Sequence, residues 1–218
     1  MLADLPAPST KPLLRGVSHE GAAIVALLAC AALVREAPTT RALAGALTYG
    51  LSLVALFGAS ALYHRPTWSA RPRRIMRRVD HSAIFLLIAG TYTPLCLLLG
   101  GREGLVLLAV VWGGALLGIV RCVLWVDAPR WLGAAIYLLL GWAILPVLPD
   151  VRAAVGTSGL LLLAAGGVAY SVGAVVYATR WPDPSPKVFG YHEVFHALVI
   201  AAAACHFAVV LRVIRALG

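Results

Sequence analysis

The sequence predicts an all-α membrane protein, a seven-transmembrane helix bundle, from three observations. Hydrophobic residues make up 61% of the 218 positions and charged residues only 12%, where soluble domains carry roughly 25% charged residues. The apolar positions gather into runs of about 17–25 residues, the length that crosses a bilayer as a helix. Alternation with period two is absent, and the runs exceed the roughly ten residues of a barrel strand.

Seven runs qualify in chain order: residues 17–34, 41–63, 79–99, 105–124, 132–148, 158–179 and 191–213. The first is the weakest, since it opens with His19 and Glu20 and is followed by Arg35 and Glu36. A signal peptide is the competing reading, with Lys11 and Arg15 before the apolar stretch and Ala42-Leu43-Ala44 as a small-residue cleavage pattern. The charged, proline-containing REAPTTR segment between them argues against cleavage. The third run contains Pro94, which removes one backbone hydrogen bond and predicts a kink. Short connections leave no room for a separate soluble domain. The expected organisation is therefore a cytoplasmic tail, residues 1–16, followed by one seven-helix domain, residues 17–215.

The basic residues set the expected orientation. Lys and Arg number two in the tail and six, two and two at the ends of the second, fourth and sixth runs and in the connections after them, twelve in all, against six on the opposite side. The positive-inside rule then places the N-terminus in the cytoplasm and the C-terminus outside. Most of the bias lies in RPTWSARPRRIMRR, residues 65–78, which reads as a topology anchor that also touches anionic headgroups. The net charge of +9 does not indicate nucleic acid, because the basic residues separate apolar runs and form no aromatic-interleaved face. Membrane lipids are the expected partners, in a bacterial inner or plasma membrane. The four cysteines, Cys30, Cys96, Cys122 and Cys205, stand singly in apolar runs, so no disulfide framework is expected.

Against this apolar background, polar residues collect at one membrane depth. The second run ends in GASALYH, the third begins VDHSAIF and the seventh begins YHEVFHAL. Ionisable residues inside spans are costly and usually face a protein interior. Residues i and i+4 share a helix face, so His192 and His196 can point at one ion, as can Ser60 and His64. Three imidazoles and a water make a catalytic zinc arrangement; hydrogen bonding of the two histidines to neighbouring helices is the alternative. HEVFH also matches the zincin pattern, but a run of this apolarity is not a soluble metalloprotease helix, and Glu193 is expected to be an interfacial charge. Asp80 at the start of the third run suits helix capping, and also suits orienting a metal-bound water. Ser60 suits stabilisation of an oxyanion or a bond back to its own helix. His206 lies about 15 Å beyond His196 along the helix axis. His81 is expected to point elsewhere, and His19 to be solvated at a span edge.

Together, ASALYH (59–64), RRVDHSAIFLLIAGTYTP (77–94) and HEVFHALVIAAAACHF (192–207) resemble the hemolysin III proteins, the bacterial branch of the progestin and adipoQ receptor family that includes the adiponectin receptors. The resemblance implies a seven-helix bundle with a Zn2+ ion near its cytoplasmic end, held by His64, His192 and His196. It also implies that Asp80 meets the metal through water and that Ser60 belongs to the same constellation. Members of the family resemble alkaline ceramidases, which implies a zinc-dependent hydrolase of a lipid amide or ester, with Asp80 and Ser60 as catalytic residues. The hemolysin name implies instead a pore or channel with cytolytic activity. A receptor or sensor with structural zinc is the third expectation.

Overall fold

A computed structural model describes residues 11–218. Seven α-helices follow one another: α1 (Val17–Arg35), α2 (Thr40–His64), α3 (Ala70–Leu99), α4 (Gly101–Leu124), α5 (Arg130–Gly141), α6 (Leu148–Thr179) and α7 (Tyr191–Ala216). Among the described residues there is no β-strand, only an isolated bridge between Ser185 and Phe189. Residues 1–10 of the expected cytoplasmic tail lie outside the described residues.

Helix boundaries follow local chemistry. The Thr39 hydroxyl accepts from the Ala42 amide to cap α2 and donates to the Leu217 carbonyl, tying that end to α7. The third helix begins nine residues earlier than its apolar run, so most of the arginine-rich connection is helical. Arginine is a good helix former, and Pro72 falls within the first turn, where a missing N–H costs nothing. Asp127, between α4 and α5, then accepts from Arg74 and Arg77. Asp80 in consequence sits ten residues inside α3, which rules out the capping role expected of it.

The fifth run departs most from expectation. Helix α5 has 12 residues, about 18 Å at 1.5 Å per residue, and a hydrocarbon core is about 30 Å thick. The chain then turns at Trp142 and passes through a 3-10 turn, Leu145–Val147, before α6. Pro146 and Pro149 explain the break, because neither can donate to a continued helix. The backbone groups freed there find partners: the Tyr92 hydroxyl donates to the Gly141 carbonyl at 2.6 Å and accepts from the Ile144 amide at 3.1 Å. Trp142 Nε1 also donates to Ser171 Oγ on α6. Satisfying irregular backbone from neighbouring helices is what an apolar medium demands. Within α6, Gly156 at φ 73° interrupts the helical geometry in the left-handed region that glycine tolerates. Among the described residues, six helical stretches are long and apolar enough to cross a membrane, with α5 and α6 forming one of them, residues 130–179.

Sequential helices pack side by side, except that α4 and α5 touch only lightly, and α7 closes the bundle against α1, α2 and α3. Tyr49, Leu53, Phe57 and Ile214 fill the interior between α2 and α7, and Phe85, Tyr92 and Val111 fill that between α3 and α4. Small residues permit the close approach: a Cβ at Gly90 would collide with Ser52 Oγ, and one at Gly118 with the Phe85 ring. Apolar lipid supplies no hydrophobic drive between helices, so contact at small residues does the holding. Outward-facing Ile24, Leu28, Leu116, Leu117 and Leu161 are exposed, as lipid-facing positions should be. The chain is a multi-pass membrane protein.

Candidate metal centre

Three helices bring their polar residues to one point inside the arginine-rich end of the bundle. The C-terminal turn of α2 carries Ser60 and His64 one turn apart, α3 carries Asp80, and the first turns of α7 carry His192 and His196. All five are buried. One ring nitrogen each from His64, His192 and His196 lies within 4.8 Å of the others, an arrangement that could hold a metal ion. His64 Nε2 and His192 Nε2 face each other at 3.0 Å. Two zinc-bound imidazole nitrogens would stand about 3.3 Å apart, given tetrahedral geometry and Zn–N bonds of about 2.0–2.1 Å. Neutral imidazoles meeting at their lone-pair edges either share a proton or converge on a cation. Three imidazole nitrogens are a donor set that fits a divalent ion such as zinc.

Asp80 Oδ2 is 3.9 Å from His64 Nε2, so the carboxylate faces the cluster from α3. Ser60 does not depend on its own helix for a partner: its Oγ is 2.8 Å from Nδ1 of His19 on α1. His19 itself corrects the sequence expectation of a solvated edge. It is 2% exposed, and its ring stacks on His196 with centroids 3.6 Å apart and planes 10° from parallel. No spacing signal could have found it, because the contact exists only once α1 packs against α2 and α7. His19 Nε2 and His196 Nδ1 are buried without hydrogen-bond partners.

Glu193 is accounted for without chemistry. Its Oε2 accepts from the Gly190 amide at 2.8 Å, and its Oε1 from Arg15 Nε at 2.5 Å. The same contact pins the segment before α1, where Leu13 and Leu14 amides donate to the Lys187 and Val188 carbonyls. Glu193 is thus an anchor, with each carboxylate oxygen already accepting one hydrogen bond. His81 and His206 line the cavity described below but stand outside the cluster; His206 Nε2 bonds the Leu163 carbonyl.

The cluster opens onto a cavity of about 1210 Å³ that runs from the basic end, at Lys11 and Arg73, into the bundle as far as Thr91, Trp142 and His206. Partial burial, then the nearby Arg65, Arg15 and Arg73 guanidiniums, hold the Lys11 amine below the usual lysine range. Cations are crowded at this mouth.

Fold and site together define a multi-pass helical membrane protein with a buried histidine cluster, able to hold a metal ion, on the wall of an internal cavity. The chain belongs to the Haemolysin-III related family, whose model matches residues 8–207. It is 33% identical over 199 residues to Hemolysin-3 of Bacillus cereus, covering 89% of this chain and 88% of that one. It is 36% identical over 164 residues to the Hemolysin-3 homolog of Bacillus subtilis (strain 168), covering 75% and 74%. A more distant relative is the human monocyte to macrophage differentiation factor, 27% identical over 164 residues and covering 73% and 66%.

Proposed function

We propose that the protein is a zinc-dependent hydrolase of a lipid amide or ester, working inside the membrane. The observation that carries this reading is the convergence of three imidazoles and one carboxylate, all buried, on the wall of a cavity large enough for an acyl chain. A purely structural metal needs neither the cavity nor the carboxylate. In the proposed topology seven segments cross the bilayer, α5 and its turn making the fifth crossing. The N-terminus lies in the cytoplasm, and the membrane is a bacterial inner or plasma membrane.

His64, His192 and His196 would hold the ion, and zinc there would polarise a carbonyl and bring the pKa of a bound water to about 7. Asp80 then has two tasks. Its carboxylate orients the attacking water by accepting a hydrogen bond, and takes the proton that the water gives up. Ser60 stabilises developing negative charge on the substrate oxygen. His19 sets the direction of that hydroxyl. With its proton on Nδ1, His19 donates to Ser60 Oγ, leaving the Ser60 proton for the Asp80 carboxylate or a substrate oxygen. The same tautomer leaves a bare lone pair at the unpartnered Nε2, which costs less than an orphaned N–H.

Asp80→Asn is the direct test. It should lower turnover of a long-chain N-acyl or O-acyl lipid by at least about 100-fold, the usual scale of a general base, while the purified protein keeps its zinc. Undiminished turnover would remove Asp80 as the base.

A further inference from the structure

Among the described residues, eight lysines and arginines line the cavity, against two carboxylates, Asp80 and Asp183. Some of this charge is compensated: Arg15 meets Glu193, and Arg74 and Arg77 meet Asp127. Arg121 and Arg130 have no carboxylate partner among the described residues, and both are half-buried. Arg121 Nε is buried with no hydrogen-bond partner, and among the described residues the one hydrogen bond of its guanidinium is a long one, from an Nη to Cys122 Sγ at 3.8 Å. Arg130 donates to the Tyr191 hydroxyl at 2.9 Å and lies over the Tyr177 ring, 5.5 Å from its centroid.

The two guanidiniums share one wall. A Cβ at Gly133 would come within 3.5 Å of an Arg121 Nη, so Arg121 lies over bare backbone of α5. Gly133 is three residues after Arg130, on the same helix face. That wall adjoins the metal centre, because the Tyr177 ring, under Arg130, is 5.9 Å from the ring of His192.

Topology alone does not explain this placement. A positive-inside signal is served equally by exposed arginines such as Arg71, whereas a half-buried guanidinium without an anion gives up part of its hydration with no opposite charge to offset it. Planar guanidiniums with free N–H groups match the oxygens of a phosphoryl group. The cavity continues past this wall along Ile84, Ile88 and Leu138, an apolar path for a chain.

We propose that Arg121 and Arg130 form a headgroup subsite beside the metal centre, and that the cavity takes an acyl lipid with a phosphoryl headgroup rather than a neutral one. This names the substrate class of the proposed hydrolase and rests on that reading for the chemistry, but the test reads binding alone. The detergent-purified full chain is titrated, by native mass spectrometry, with dioleoyl phosphatidic acid, with dioleoylglycerol of the same chains, and with inorganic phosphate. Phosphatidic acid should bind at least tenfold tighter than dioleoylglycerol and than phosphate. Arg121→Gln with Arg130→Gln should abolish the preference, Arg71→Gln should leave it, and the paired Lys substitutions should retain part of it with unchanged helical circular dichroism. Equal binding of the two lipids, or a preference that survives in the Gln pair, would overturn the subsite. Phosphate binding as tight as the lipid would overturn the lipid assignment. Repeating the titration in Asp80→Asn separates the two readings, since loss of turnover there leaves the headgroup preference intact.

Discussion

At the residue scale, the site depends on which atoms already have partners. Glu193 has both carboxylate oxygens occupied, by an amide and a guanidinium, so Glu193→Gln should loosen the segment before α1 without removing metal. Limited proteolysis near residues 11–16 checks the first effect and elemental analysis the second. In the proposed mechanism His19 acts through Ser60, which it meets at 2.8 Å, so His19→Phe, which keeps a stacking ring, should lower kcat while metal content stays at the wild-type level. Metal lost together with activity would make His19 a structural support of His196 instead. The α7 histidines were legible in the sequence because i and i+4 share a face, and His64 joined them through the family resemblance. His19 was not, since a lone histidine at a span edge carries no pattern.

At the element scale, seven apolar runs were expected where six helical stretches among the described residues are long and apolar enough to cross a membrane, and the bounds of α3, α5 and α6 were misjudged. Hydropathy marks the part of a helix inside lipid, so it missed the first nine residues of α3, which are helical but polar. It also drew one span across 132–148, where two prolines split the stretch into α5, a turn and the start of α6. The Tyr92 hydroxyl serves both sides of that break. Tyr92→Phe leaves the Gly141 carbonyl and Ile144 amide unsatisfied and should cost about 1–3 kcal/mol, read as a lower unfolding midpoint in detergent. The Asp127 pairs with Arg74 and Arg77 are far more exposed, so Asp127→Asn should cost no more than about 1 kcal/mol.

At the scale of the whole molecule, the bundle gathers its charge and its polar chemistry at one end and presents apolar surface elsewhere. The arginine bias and the depth of the three polar clusters were both visible in the sequence, whereas the cavity that joins them required helices far apart in the chain to pack. Metal and hydrolysis rest on one arrangement, the three imidazoles with Asp80 beside them. Elemental analysis of the detergent-purified chain, beside a His192→Ala, His196→Ala double variant that retains its helical content, tests that arrangement most directly. The account predicts about one zinc per wild-type chain and none in the variant, as expected where ligands supply the binding free energy. A well-folded wild-type protein without metal, or a variant that keeps its full complement, would contradict it.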